Sequence, residues 1–402
     1  MPVRRRLTAT LFGGAALGTT GYIAAATVSP LVVDEIAGNA TLAGLPGAVA
    51  ILGTAVGTSL LTLRVGERGR RPGLIVGYGL GVIGALTAAI AVIVGSLGIL
   101  LAGMAILGIG HASNHLARYT GAEMYPAGRR ASALSLIVWA GTVGSVLGPS
   151  LLQPGGRLAM ERGWSELAGG FLLAVIFMAA AMGLYVLALK PDPITLSFEA
   201  WTTDSKPAFG DAFRIPHVRV ALAALISGQV VMVLIMTATP LHIRHGGSDL
   251  GIVGLVMSAH TLGMFAFSPL TGRLADRFGR YQTVLAGLAV LGVAALLAST
   301  APAHSTGLLL AALFLLGLGW NLGFVAGSAL LTVGFSPELR ARLQGRADSI
   351  TWLSSATASI LSGVFYQFTD YRVLALVGLG LLAVPLFIVA RNRSALTPAT
   401  AS

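Results

Sequence analysis

Two pairs of soft side chains stand four residues apart inside long apolar runs: Met232 with Met236, and His260 with Met264. In a helix each pair projects from one face. Thioether sulfur and neutral imidazole, with no hard carboxylate nearby, suit monovalent copper better than Mg²⁺, Ca²⁺ or Mn²⁺. Two to four such ligands hold the ion while leaving it exchangeable. Met257, one turn before His260, could join them, so four of the ten methionines fall between Met232 and Met264. The chain has no Cys, which leaves soft-metal chemistry to Met and His. The plainer alternative is that Met packs helix interfaces and His260 is a satisfied polar group between helices.

Other polar groups are weaker candidates. His242 and His245, in PLHIRHGGSD beside Asp249, could capture a cation at an outer mouth or be incidental loop residues. His111 and His115, with Asn114 and Arg118 alongside, could form an exit relay, a proton-coupling site or a structural network. Trp320 and Asn321 either line a cavity or pack. No Asp or Glu lies near the middle of any apolar run: Asp34, Glu35, Asp249 and Asp370 fall at one set of ends, Asp276 and Asp348 at the other. A carboxylate proton relay is therefore not expected. Without a central acid, a Cys nucleophile, a Ser/His pair at recognisable spacing or an ATP-binding loop, the chain does not read as an enzyme and calls for no cofactor.

The elements that must position these groups are transmembrane helices. Of 402 residues, 55% are hydrophobic and 10% charged, where soluble domains carry about a quarter charged; mean hydropathy is +0.83. Apolar runs of about 20 residues predict twelve spans, near 8–32, 41–63, 73–94, 97–118, 131–152, 168–189, 218–240, 250–271, 281–300, 306–332, 346–368 and 371–390. The first is too long for a signal-peptide core and is read as retained. The net charge of +11 is spread as one Arg cluster per alternate loop, a topology signal rather than a nucleic-acid footprint. It puts both termini in the cytoplasm. The longest polar stretch divides a six-helix half, 1–190, from another, 218–391, through a cytoplasmic linker, 191–217; a tail, 392–402, follows. With the seventh span running outward and the eighth inward, Met236, then Met232 level with His260, then Met264 form a ladder leading in. Arg usage with abundant Ala and Gly hints at a GC-rich bacterial genome, hence a bacterial cytoplasmic (inner) membrane.

A basic, Gly-rich turn recurs in both halves. Arg64-Val-Gly-Glu-Arg-Gly-Arg-Arg71 follows the second span, and Gly272-Arg-Leu-Ala-Asp-Arg-Phe-Gly-Arg280 follows the eighth, about 210 residues later, the mark of an internal repeat. The second copy matches G-x-L-A-D-R-x-G-R, the loop motif of the major facilitator superfamily, which this chain resembles over nearly its whole length. The resemblance implies that Asp276, Arg277, Gly279 and Arg280 form a conformational switch bridging cytoplasmic helix ends. In the first copy Gly66 or Glu67 stands at the acidic position. Gly141-x-x-Gly144-x-x-x-Gly148-Pro149 in the fifth span is a second echo, its small residues permitting close helix approach. Drug/proton antiporters of that superfamily carry Arg and Gln in the fourth span where Met104 and Leu107 stand here, which argues against drug efflux.

M-x-x-x-M on Met232 and Met236 with H-x-x-x-M on His260 and Met264 resembles the paired motifs of the CcoA-like subfamily, copper importers that supply haem-copper oxidase assembly. That resemblance implies copper import by alternating access, with cargo held between the halves near mid-depth. Close relatives in the subfamily are associated with riboflavin uptake. A riboflavin or other small-organic-molecule carrier is thus the alternative; it predicts dispensable copper ligands and indispensable aromatic or amide groups. A non-transporting copper sensor ranks below both. The repeat puts Ala50 or Ile51, and Thr54 or Ala55, opposite His260 and Met264, so the fold does not impose the soft pair. The expected partners are the cargo and the lipid bilayer, with no nucleic acid, and a monomer is the superfamily default.

Overall fold

A chain crossing hydrocarbon must pair every backbone N–H and C=O within itself, which favours helices wherever the apolar runs lie. A computed structural model describes residues 2–125, 127–196, 215–331 and 337–392. The helices are α1 (Pro2–Ala37), α2 (Leu45–Arg68), α3 (Arg70–Val94), α4 (Leu97–Glu123), α5 (Ala127–Ser150), α6 (Leu152–Met160), α7 (Ala168–Ala188), α8 (Pro216–His245), α9 (Leu250–Phe265), α10 (Ser268–Phe278), α11 (Arg280–Thr300), α12 (Thr306–Leu330), α13 (Pro337–Phe368), α14 (Tyr371–Leu381) and α15 (Ala383–Arg391). Among the described residues nine helical stretches are long and apolar enough to cross a membrane, counting Leu250–Phe278 and Tyr371–Arg391 each as one. Helices α2, α5 and α13, of 24, 24 and 32 residues, have the length for a crossing at about 1.5 Å per residue, and the described residues form an all-helical fold.

Several boundaries differ from the sequence expectation. The two basic motifs are helical rather than loops: α2 runs to Arg68 and α10 to Phe278, and each turn is compressed into one glycine, Gly69 at φ 99° and Gly279 at φ 97°. Only glycine takes such angles without strain. The predicted eighth span is broken at residues 266–267 into α9 and α10, with Pro269 in the first turn of α10. The predicted linker begins with a short 3-10 turn, Pro193–Leu196; residues 197–214 and the tail from 393 onward lie outside the described residues, as do the side chains of Arg129, Arg130 and Arg340.

A carboxylate from beyond α7 caps the helix that follows the first motif. Asp192 accepts from the backbone N–H groups of Arg70 and Arg71 at 3.1 and 3.0 Å, at the start of α3, and Arg70 makes a two-pronged pair with Glu123 at 2.9 and 2.6 Å. Helix N-termini favour such a carboxylate. Asp192→Ala is expected to lower stability by about 1 kcal/mol, read as a small drop in thermal unfolding temperature in detergent.

The residues fall into two compact units: Met1–Trp201 with Pro240–Ser258, and Thr202–Thr239 with Ala259–Ser402. Glycines set the helix spacing within each. In the first, a Cβ on Gly53 would lie 2.3 Å from Ala105 O, and one on Gly108 2.1 Å from Ala50 O, so α2 and α4 touch through backbone. In the second, Gly263 and Gly317 do the same for α9 and α12, at 2.3 Å from Phe314 O and 2.2 Å from His260 O. The two patterns superpose residue for residue, pairing Ala50 with His260 and Gly108 with Gly317. That fixes the repeat alignment, opposite His260 and Met264, at Ala50 and Thr54.

Candidate functional site

In the second unit, a single amide organises an aromatic cluster. Gln229 of α8 accepts from the Trp320 indole N–H at 2.7 Å and donates to Ser355 of α13 at 3.1 Å. Trp320 stacks on Phe324 one turn later, ring centres 4.6 Å apart, and meets Phe265 edge-on at 6.0 Å. A buried indole and amide that satisfy each other hold the rings in one orientation. Met232 and Met236 follow Gln229 by three and seven residues, which puts them on the same face of α8; Met232 is buried and Met236 half-buried.

His260 is fully buried against α12. Its Nδ1–H donates to Leu313 O at 2.9 Å, while Nε2 is buried with no hydrogen-bond partner. The backbone of Met264 is engaged as well: Asn321 donates to Met264 O at 2.6 Å and to Ser268 Oγ at 2.7 Å, and accepts from the Thr271 hydroxyl. Asn321 therefore staples the break between α9 and α10, satisfying a carbonyl that the interrupted helix frees. Asn321→Leu would leave that carbonyl and two hydroxyls short of partners, at about 1–3 kcal/mol each for those that stay dry. A clear loss of thermal stability in detergent is the expected result. Met257 falls in the other unit. Among the described residues no group of three or more His, Cys, Asp or Glu is arranged to hold a metal ion.

The first unit carries a second ring cluster. Tyr22 of α1 stacks on His111, centres 3.7 Å apart and planes 13° from parallel, and His115 meets His111 edge-on at 5.7 Å. Asn114 donates to His111 Nδ1 and to Thr19 Oγ1, both at 3.1 Å, and accepts from the Tyr78 hydroxyl at 2.5 Å. His111, Asn114, His115 and Arg118 lie on one half-buried face of α4.

The remaining candidates lie elsewhere in the fold. Gly144 and Gly148 let α5 meet α1, their Cβ positions 2.4 Å from Ala16 O and 2.6 Å from Thr20 O; Pro149 O lies against Gly254. His245 pairs with Asp34 at 2.6 Å, and the neighbouring Arg244 pairs with Glu166. His242 is half-buried, and Asp249 caps α9 by accepting from Ile252 N–H. In the switch motif Arg280 donates to Ala329 O at 3.3 Å, Arg277 lies over the Phe278 ring and Asp276 is exposed. Gln229, Tyr22 and Tyr78 were not singled out by sequence; a lone amide in the apolar run of α8 was the available signal.

Two glycine-spaced repeats of long apolar helices define a multi-pass membrane protein, and the family match makes it a secondary transporter. The sequence pattern of the Major Facilitator Superfamily matches residues 10–253 and 245–401, and the chain belongs to that family and is not an enzyme. It is 37% identical over 388 residues to an uncharacterized MFS-type transporter, YddS, of Bacillus subtilis, covering 94% of this chain and 88% of the relative. It is 27% identical over 359 residues to the riboflavin transporter RfnT of Brucella anthropi, covering 87% and 86%. Among solved structures the nucleoside transporter NupG matches with a TM-score of 0.76 at 13% identity over 98% of this chain and 99% of that one. A POT family transporter matches at 0.72 and 14%, over 96% of each.

Proposed function

We propose that this transporter carries a small, planar heteroaromatic molecule of the riboflavin type. The observation that carries this reading is the ring pair repeated in both units. His111 and His115 follow Gly108 by three and seven residues; Trp320 and Phe324 follow Gly317 by the same intervals. Each pair lies one helical turn apart on the equivalent helix, one backed by Tyr22 and the other by Phe265. Flat rings on rigid helices bind a flat cargo by stacking. The name of the 27% identical Brucella relative supports the same cargo class.

One observation favours copper as a second reading. Leu313 O accepts from Nδ1–H of His260, which leaves the Nε2 lone pair free, the tautomer a metal-binding imidazole needs. Copper import for oxidase assembly would then use His260 with Met232, Met236 and Met264.

Uptake of labelled riboflavin and of radioactive copper, each in a host deficient in that uptake and at matched membrane expression, separates the two. Riboflavin uptake lost in Trp320→Ala and kept in Met232→Ala/His260→Ala supports the first reading. Copper uptake that vanishes in the double variant overturns it in favour of the second.

A further inference from the structure

The ring pair of the first unit is wired into a hydrogen-bond network that has two complete arrangements. In the structure Asn114 Nδ2 donates to His111 Nδ1 and Thr19 Oγ1, and Asn114 Oδ1 accepts from Tyr78. An amide nitrogen only donates, so Nδ1 is the bare nitrogen and the imidazole is neutral. Tyr78 has a second acceptor within reach, Gly14 O at 3.2 Å. Rotate the Asn114 amide by half a turn and the pattern inverts without losing a bond. A proton on His111 Nδ1 is donated to Asn114 Oδ1, the Thr19 hydroxyl donates to the same oxygen, Nδ2 donates to Tyr78, and Tyr78 donates to Gly14 O. Gly18 makes room for this, since a Cβ there would lie 2.4 Å from the Tyr78 ring and 2.9 Å from Asn114 Oδ1.

We infer that His111 is a proton-binding site of the transport cycle and that Asn114, by rotating its amide, is the positioning residue that lets α1, α3 and α4 keep their hydrogen bonds in both the proton-free and the proton-bound form. A network that stays satisfied in both states lowers, without removing, the cost of holding such a charge within apolar helices. The titratable and charged groups around the imidazole are Tyr22 from α1, Tyr78 from α3, and His115 and Arg118 from α4 itself. Along α2 and α5 the ionisable residues are confined to the arginine-rich ends, Arg64, Glu67 and Arg68 in one and Arg129 and Arg130 in the other. Among the described residues no carboxylate pairs with His111 to trap the proton, and Arg118, one turn from His115, opposes it, which favours release. The proton arrives from water on one side and leaves to water on the other; no covalent bond changes.

The first test needs no cargo. Full-length protein labelled with ¹⁵N-histidine, in lipid nanodiscs, is titrated by NMR from about pH 8 to about pH 5. The His111 signal, assigned by its loss in His111→Gln or, if that variant does not accumulate, His111→Phe, is expected to pass from the Nε2–H tautomer to imidazolium. In Asn114→Leu it should stay neutral throughout. A wild-type His111 that remains neutral over the whole range overturns the inference. A second test rests on the riboflavin reading: riboflavin uptake into proteoliposomes at clamped membrane potential, with an imposed proton gradient, is compared with counterflow exchange. One coupled proton gives up to about tenfold accumulation per unit of pH difference, and the ratio of driven uptake to counterflow should fall toward one in Asn114→Leu. Wild-type uptake indifferent to the gradient overturns the inference. Absence of both uptake and counterflow overturns the riboflavin reading instead, and the titration still decides the proton site.

Discussion

Gly317→Leu is expected to yield little or no folded transporter in the membrane, while Gly307→Leu on the same helix accumulates as wild type does. A Cβ at position 317 would sit 2.2 Å from His260 O and 2.9 Å from Met264 N, and both obstacles are backbone. A flexible side chain could turn aside; a helix can only move away. Overpacking a well-packed interior costs typically about 1–3 kcal/mol when neighbours can adjust, and here separation of α9 from α12 would also cost the His260–Leu313 hydrogen bond and the Asn321 staple across the same seam. Gly307 has nothing within 4 Å of its Cβ position and serves as the control. Membrane yield and thermal unfolding of detergent-solubilised protein measure both. Gly108→Leu should repeat the failure, because its Cβ would lie 2.1 Å from Ala50 O. Should Gly317→Leu accumulate at wild-type levels, backbone contact between these helices does not hold the second unit together.

Trp320→Ala is expected to depress riboflavin uptake by roughly 5- to 150-fold, the equivalent of about 1–3 kcal/mol of lost stacking per ring. The variant removes a ring from the stacked pair with Phe324 and leaves Gln229 Oε1 without its indole donor. Trp320→Phe keeps a flat ring and should fall between, since Gln229 is still unpaired. Gln229→Leu approaches the same defect from the other side: the indole N–H and the Ser355 hydroxyl lose their shared partner. Uptake kinetics at matched surface expression should show a raised KM where stacking is lost. Equal uptake by wild type and Trp320→Ala would exclude this cluster as a cargo site.

Hydropathy and arginine spacing made the helical repeat legible, because crossing hydrocarbon constrains length and charge almost residue by residue. The motif ending at Arg280 made the family legible. The site was less so. Four-residue spacing correctly places His260 and Met264 on one helix, but spacing says nothing of what lies opposite, and opposite them is α12, whose Gly317 lets the two backbones touch. Trp320 and Asn321 are adjacent in sequence and do different work: one is held by α8 through Gln229, the other closes the gap in a neighbouring helix. Only the third dimension separates those tasks. Asp192 was hidden for a related reason. It is 121 residues from Arg71 in the chain, and no periodicity links a polar joint to the helix end it caps.

The glycine seams have a consequence for how this protein can acquire new tasks. Positions 50, 53, 105 and 108 and their counterparts 260, 263, 314 and 317 share one arrangement of main chain, yet just beyond the seam one copy carries two imidazoles and the other an indole and a phenyl ring. The duplicated frame is indifferent to which rings it displays. Exchanging residues 111 and 115 for the pair at 320 and 324, or the reverse, therefore leaves the backbone seams between α2 and α4 and between α9 and α12 in place, at the cost of the ring contact with Tyr22 or the hydrogen bond with Gln229, and under the proposed reading it would change the rings offered to the cargo in one repeat while the other stays as it was.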